Sequence, residues 1–168
     1  PDMVTMGKPM GNGFPLSGTA MRPELVQEFG EKARYFNTFG GNPVAAAAGM
    51  AVLDVIAEEG LQANAAKVGA FLKEGLQHIA TRYPKIGHVR GAGLFLAVEC
   101  ITSHETHTPD AMLAHFVVNH LRENGVLISA TGPGANILKI RPPLVLQQTE
   151  AQLFLDAIEV AFAAATQQ

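Results

Sequence analysis

Apolar residues recur every three or four positions in several stretches of this chain, a spacing that predicts amphipathic helices. One helix is predicted at residues 44–59, which are rich in Ala and are followed by Gly60 as a C-terminal stop. A longer helix is predicted between Gly60 and Pro84, and its apolar positions are Leu61, Ala65, Val68, Leu72, Leu76 and Ile79. Small residues at 45–49 should let the first of these helices lie very close to a neighbouring backbone.

Two further helices are predicted from capping signals. One begins with Thr108 as N-cap, Pro109 at the first position and Asp110 in the first turn, and it ends near residue 124. The last helix is indicated by capping-box spacing at residues 149–152, and its buried positions are Phe154, Ile158, Ala161 and Phe162.

Short apolar runs between these helices predict strands. They lie at residues 88–91 and 93–99, which meet at a Gly-rich kink, and at 126–129 and 136–141. Together they predict a compact α/β unit over residues 61–168, a size typical of one domain.

Residues 1–60 differ, because they are rich in Gly, Pro, Met and loops. They contain a short strand at residues 3–6, which is expected to be buried, and a helix start at Arg22-Pro23-Glu24. Such a piece cannot form a good core alone, so the domain boundary is predicted near Gly60.

Composition excludes several classes of protein. The 168 residues are 48% hydrophobic and 16% charged, with 12 Lys and Arg against 15 Asp and Glu, which argues against disorder. A net charge of −3 without a basic run argues against nucleic-acid binding. The single cysteine, Cys100, cannot form an internal disulfide and favours a reducing cytosol. No apolar run approaches the roughly 20 residues that a membrane helix needs.

Lys8 is the first residue with candidate chemistry. It lies in TMGKPMGNG at residues 5–13, directly after an apolar run, where three glycines allow close approach. Burial of a lysine disfavours its charged form, and a neutral amine can form a Schiff base. The alternative is a surface lysine in a flexible turn. A phosphate-binding P-loop is excluded, because Asp2 and Pro9 occupy positions that need Gly and Ser or Thr.

A second cluster, YFNTFGGNP, spans residues 35–43. Its hydroxyl and the backbone N–H groups of a Gly-Gly turn before a helix could hold a phosphate. The alternative is a capped loop with buried aromatic side chains.

Together these clusters resemble the class III (subgroup II) aminotransferases, which depend on pyridoxal phosphate. The resemblance covers the whole chain and rests on PDMVTMGK at 1–8, GFPL at 13–16, NTFGGNP at 37–43, VRGAGL at 89–94 and IRPPL at 140–144, in the family's order and spacing. The stretches MGKPMGNG at 6–13 and LKIRPP at 138–143 also look like the phosphoethanolamine phospho-lyases, which share a branch with the alanine–glyoxylate aminotransferases.

The resemblance implies a role for each matching residue. Lys8 would hold the cofactor as a Schiff base and move protons. Thr38, with Phe39 and Gly40, would reach the cofactor phosphate of the partner subunit in a homodimer. Arg141 would bind a substrate carboxylate, for which its planar fork is suited; the alternative for Arg141 is a surface salt bridge. The substrates would be an amine or amino acid and a keto acid, in the cytoplasm.

In this family the phosphate loop, the aromatic stacked on the cofactor ring and the acid that pairs with the ring nitrogen lie upstream of the lysine. With Pro1 as its first residue, the chain is therefore expected to be the C-terminal part of an enzyme of PLP-dependent transferase fold type I. Residues 1–60 would end the large cofactor domain, and residues 61–168 would form the small α/β domain. Two alternatives stay open: phosphate elimination from a phosphorylated amine, and a folded but inactive fragment.

Other reactive residues are read as structural. The six histidines lack metal-site spacing, as in HETH at residues 104–107, and no metal site is predicted. Cys100 ends an apolar strand and is expected to be buried and inert.

Overall fold

The computed structural model describes residues 1–166, which form two compact units. The first is Pro1–Gly60, and the second begins at Leu61. No helix in the described part of the chain combines the length and apolar character needed to cross a bilayer.

The first unit is built on a two-stranded antiparallel ribbon. Strand β1, Met3–Met6, pairs with β2, Gly18–Met21, and the short 3₁₀-helix Lys8–Gly11 lies between them. Strand β1 is confirmed, but the expectation that it is buried is wrong, because all four of its residues are exposed. A two-stranded ribbon can bury one face at most. Strand β2 was not predicted, because Gly-Thr-Ala-Met has no alternation of apolar and polar residues.

Two helices complete the first unit. They are α1, Pro23–Lys32, and α2, Pro43–Glu58, both with proline in the first turn as expected for an N-terminus. Helix α2 packs against the 3₁₀-helix. A Cβ built at Gly49 would lie 2.6 Å from Leu16 Cδ2, so at this point the small residue makes room for a side chain rather than for the expected backbone.

The second unit is a four-stranded antiparallel sheet with helices. Its elements are α3, Leu61–Ala80; β3, Ile86–Ala92; β4, Phe95–Cys100; α4, Ala111–Glu123; β5, Ser129–Thr131; β6, Ile137–Ile140; and α5, Gln148–Ala165. The strand order is β3-β4-β6-β5, α3 and α4 pack on the sheet, and α5 packs on both of those helices.

The core of the second unit lies between sheet and helices. The predicted face of α3 is buried apart from partly buried Ala65. In α5, Ile158, Ala161 and Phe162 are buried as predicted, whereas Phe154 is only partly buried. The largest fully buried side chains include Phe162, Leu72, Leu76, Leu96, Leu121 and Leu138.

The predicted starts of α4 and β5 are wrong. Asp110, not Thr108, is the N-cap of α4 and accepts from Leu113 N at 2.9 Å, because Pro109 still forms a β-bridge with Ile101. Strand β5 begins at Ser129 rather than at residue 126, since Val126 N donates to Leu121 O and extends the end of α4.

The capping box of α5 is also displaced. It is formed by Gln147 and Glu150 rather than by Thr149 and Gln152. Gln147 N donates to Glu150 Oε2 at 2.8 Å, so the helix begins one residue before Thr149. The three-residue spacing of a capping box therefore occurs two residues earlier than predicted, with Gln147 in place of the usual Ser or Thr.

Cys100 is fully buried, and it is expected to resist thiol reagents. Burial raises the pKa of this thiol from the ordinary 9.0 to about 12, and the negative charges of Asp110 and Glu99 make smaller contributions in the same direction. The reagent DTNB at pH 8 should label no thiol in the folded chain and one in denaturant. Since the thiol ionises first in the unfolded chain, stability should also fall as pH rises above 9. Rapid labelling of the folded chain would contradict this prediction.

Candidate functional site

Lys8 lies at a tightly folded turn in the first unit. It begins the 3₁₀-helix two residues after β1, whose last residue Met6 pairs with Gly18. Met10 N donates to Gly7 O and Asn12 N donates to Pro9 O, both at 3.1 Å. The backbone that carries the amine is therefore held by a strand on one side and by hydrogen bonds on the other.

The Lys8 side chain is exposed. Within residues 1–166 its amine forms no hydrogen bond or ion pair with a side chain. The apolar surroundings expected from the preceding strand are absent here, because β1 itself is exposed. Lys8 is therefore a surface residue, as the alternative expected, but its turn is held by hydrogen bonds.

The second cluster forms a turn organised by Asn37. Its Oδ1 accepts from Phe39 N and Gly40 N, each at 3.1 Å, and its Nδ2 donates to the Tyr35 hydroxyl at 3.1 Å. The N–H groups of Phe39 and Gly40 are thus already bonded inside the turn. The sequence pattern assigned Asn37 no role of its own, although Asn and Gly are common turn residues and Asn37 lies three residues before a Gly-Gly pair.

Thr38 stands at the exposed tip of this turn. The side chains of Phe36 and Phe39 are 86% and 81% exposed. The alternative of a capped loop with buried aromatic side chains is therefore wrong in its second part. Asn42 does cap the helix that follows, since its Oδ1 accepts from Val44 N at 2.9 Å and Ala45 N at 3.2 Å. Helix α2 therefore presents its N-terminus, the electropositive end of a helix, just after the turn.

The packing of α2 on the 3₁₀-helix brings the two motifs into one unit. An open cleft of about 850 Å³ in the same unit is bordered by Asn37 and Gly40, but by neither Lys8 nor Thr38. The cleft is therefore not assigned to the chemistry of the lysine.

Arg141 directly follows β6 in the second unit. Strand β6 is held on both sides, pairing with β4 at Leu96↔Ile140 and with β5 at Ser129↔Lys139. The Arg141 side chain is exposed, and no carboxylate among residues 1–166 pairs with it, in contrast to Arg90, which bonds Glu99 at 2.8 Å. The salt-bridge alternative for Arg141 is not realised within the described chain.

The histidines do not converge on a metal site. His104 and His107 form a T-shaped ring pair with centroids 6.2 Å apart. Across residues 1–166, no group of three or more His, Cys, Asp or Glu side chains is placed to share a metal ion.

Comparison with solved structures finds close matches to both units. A phospholyase from Arthrobacter, solved with phosphoethanolamine, matches with a TM-score of 0.92 and 44% identity over 97% of this chain and 39% of its own. An amine transaminase from an uncultivated Pseudomonas species, in a PLP-bound internal aldimine form, matches with a TM-score of 0.88 and 35% identity over 98% of this chain and 38% of its own.

Sequence comparison agrees with these structures. The alanine–glyoxylate aminotransferase 2-like protein of Drosophila melanogaster is 42% identical over 157 residues, which are 92% of this chain and 32% of that protein. The chain spans about a third of the length of the curated relatives it matches. The profile of the family described as aminotransferase class-III matches residues 1–162. This chain therefore belongs to the class-III aminotransferase family.

Proposed function

We propose that these residues are the C-terminal part of a pyridoxal-phosphate-dependent aminotransferase. It would transfer an amino group between an amine or amino acid and a keto acid. Residues 1–60 would end the large cofactor domain, and residues 61–168 would form the small domain. The one-third coverage of longer relatives and the two compact units support this division.

The observation that carries the proposal is the exposed primary amine of Lys8 on a hydrogen-bonded turn. When bound, pyridoxal phosphate supplies an electron-accepting ring that stabilises negative charge at the substrate carbon. The Lys8 Nζ would hold the cofactor through its aldehyde carbon. After release it would take the proton from the substrate carbon and return it, as a positioned acid and base.

Thr38 would serve the cofactor phosphate. Thr38 is exposed in the turn, five residues before α2 begins at Pro43, and an anion is favoured at a helix N-terminus. Phe39 and Gly40 would shape this turn around Asn37 rather than offer their own N–H groups. The exposed aromatic side chains of the turn are suited to burial against a second subunit, which supports a homodimer in which Thr38 reaches the partner's cofactor.

Arg141 would bind the substrate carboxylate. Its guanidinium has no partner among residues 1–166, and it is placed where β6 ends and a Pro-Pro segment begins. Bidentate Arg–carboxylate pairs are strong and orient the bound group. A cytosolic location is also proposed, and the single buried thiol supports a reducing compartment.

Phosphate elimination from phosphoethanolamine is the second candidate. It is favoured by one observation: the Arthrobacter phospholyase is 44% identical, whereas the Pseudomonas transaminase is 35% identical. Both reactions would use Lys8 for proton transfer and differ in the bond that breaks next.

Product analysis separates these candidates. The complete polypeptide carrying these residues, loaded with pyridoxal phosphate, is incubated with L-alanine and glyoxylate and, separately, with phosphoethanolamine. Amino-group transfer predicts pyruvate and glycine in the first mixture. Inorganic phosphate and ammonia from the second mixture, with no pyruvate from the first, would replace the proposal with phosphate elimination. No product from either would favour an inactive chain.

A further inference from the structure

Asn64 of α3 is bonded to a distant loop in the same unit. Its Nδ2 donates to Leu144 O at 2.8 Å and to Leu146 O at 3.0 Å, across 80 and 82 residues of sequence. Both hydrogens of one amide therefore hold one short segment of backbone, the segment that begins with Arg141.

The loop itself is tightly organised at this point. Leu146 N donates to Pro143 O at 3.0 Å and closes a turn, and Gln147 Nε2 donates to Val145 O at 2.8 Å. Three consecutive carbonyls, at residues 144 to 146, thus each accept from a side-chain amide.

The path from this anchor to Arg141 is short and stiff. Only Pro142 and Pro143 separate Arg141 from Leu144, and the ring of each proline fixes its φ. On the other side, Ile140 is paired with Leu96 in the sheet. The Arg141 backbone is therefore set by β6 before it and by the Asn64 anchor after it.

We propose that Asn64 is a positioning residue that orients Arg141 for binding a substrate carboxylate. This inference rests on the proposed function of Arg141. An amide is suited to the task because it offers two donors to two carbonyls, whereas Asp at this position would place a carboxylate against them. Without the Asn64 hydrogen bonds, the Arg141 side chain would still be charged but would adopt several orientations. Binding of a carboxylate would then be weaker, because the guanidinium is less preorganised.

The test measures carboxylate binding at Arg141 without relying on turnover. In the complete holoenzyme, phenylglyoxal labels arginines in the presence of increasing propionate, and mass spectrometry reads the labelling of each site. The variants are Asn64→Ala and Asn64→Asp. The matched control is Asn124→Ala, which also removes an amide bonded to a backbone carbonyl, at His120 O and 2.8 Å.

Propionate is expected to protect Arg141 in the wild type and in Asn124→Ala at similar concentrations. The concentration for half-protection should rise about five- to tenfold in both Asn64 variants, as expected for loss of two hydrogen bonds that orient the site. Labelling of exposed Arg122 on α4 should be unchanged in all of them, which distinguishes misorientation from general unfolding. If Asn64→Ala fails to fold, Asn64→Asp, which keeps the shape of the side chain, carries the same expectation.

Two outcomes overturn the inference in different ways. Equal protection of Arg141 in the wild type and both Asn64 variants would refute the positioning role alone. Absence of protection in the wild type would refute the assignment of Arg141 to carboxylate binding, and the role of Asn64 would fall with it.

Discussion

The Lys8→Ala variant is expected to lose amino-group transfer by about a thousandfold or more in kcat. The side chain carries two duties in the proposed reaction: it holds the cofactor covalently, and it moves the proton at the substrate carbon. Acid and base catalysis by a positioned group is worth about a hundred- to ten-thousandfold in rate. Alanine supplies neither a nucleophile nor a base, and no other lysine lies between residues 1 and 31 to replace it.

Two measurements check this expectation in the complete polypeptide. The first is kcat with saturating substrate. The second is borohydride reduction after addition of pyridoxal phosphate, followed by mass spectrometry of the peptide that contains residue 8. Wild-type protein should carry the reduced cofactor on Lys8, and the variant should carry none.

Lys32→Ala is the matched control. Lys32 is also an exposed lysine of the first unit, but it pairs with Glu28 on α1. Its removal should leave kcat within about twofold and the labelled peptide unchanged, because exposed ion pairs contribute little. Equal loss in both variants, or full activity of Lys8→Ala, would refute the assignment of Lys8.

Much of the second unit was predictable because its burial is periodic. The apolar positions of α3 recur at three and four residues, and the structure places them in the core. The end of β4 at Cys100 followed from an apolar run, and the thiol is buried as expected. Errors concentrate at helix ends, where the choice between neighbouring caps depends on a single contact such as Gln147 with Glu150.

The first unit was less predictable, because the local sequence pattern does not determine which of its residues are buried. Residues 3–6 read as a buried strand, yet every one of them is exposed. Motif spacing identified Lys8, Thr38 and Arg141 as candidates, and their roles remain predictions. The side chains that organise their surroundings, Asn37 and Asn64, were missed, since their partners emerge only from the folded turn and from contacts some 80 residues away.

Gly69 was also missed, because its partner is distant in sequence. Its lack of a side chain lets α3 lie close to the backbone of Gly93. A Cβ built on Gly69 in α3 would lie 2.1 Å from Gly93 O, 2.3 Å from its carbonyl carbon and 2.7 Å from its Cα. Gly93 is in the two-residue turn between β3 and β4, with φ at +53°, and Lys73 Nζ donates to the neighbouring Gly91 O at 3.1 Å. The helix therefore lies on the hairpin backbone at this point.

The Gly69→Ala variant is expected to lower the free energy of unfolding by more than about 3 kcal/mol or to prevent folding of the second unit. Overpacking usually costs about 1–3 kcal/mol, but here the obstacle is backbone, which cannot rotate away as a side chain can. The matched control is Gly30→Ala in α1, where an added Cβ meets nothing within 4 Å. That variant should be neutral or stabilised by up to about 1 kcal/mol, because alanine favours helix. Thermal and urea unfolding of both variants measure the difference, and a Gly69→Ala variant as stable as the wild type would show that α3 does not lie this close to the hairpin.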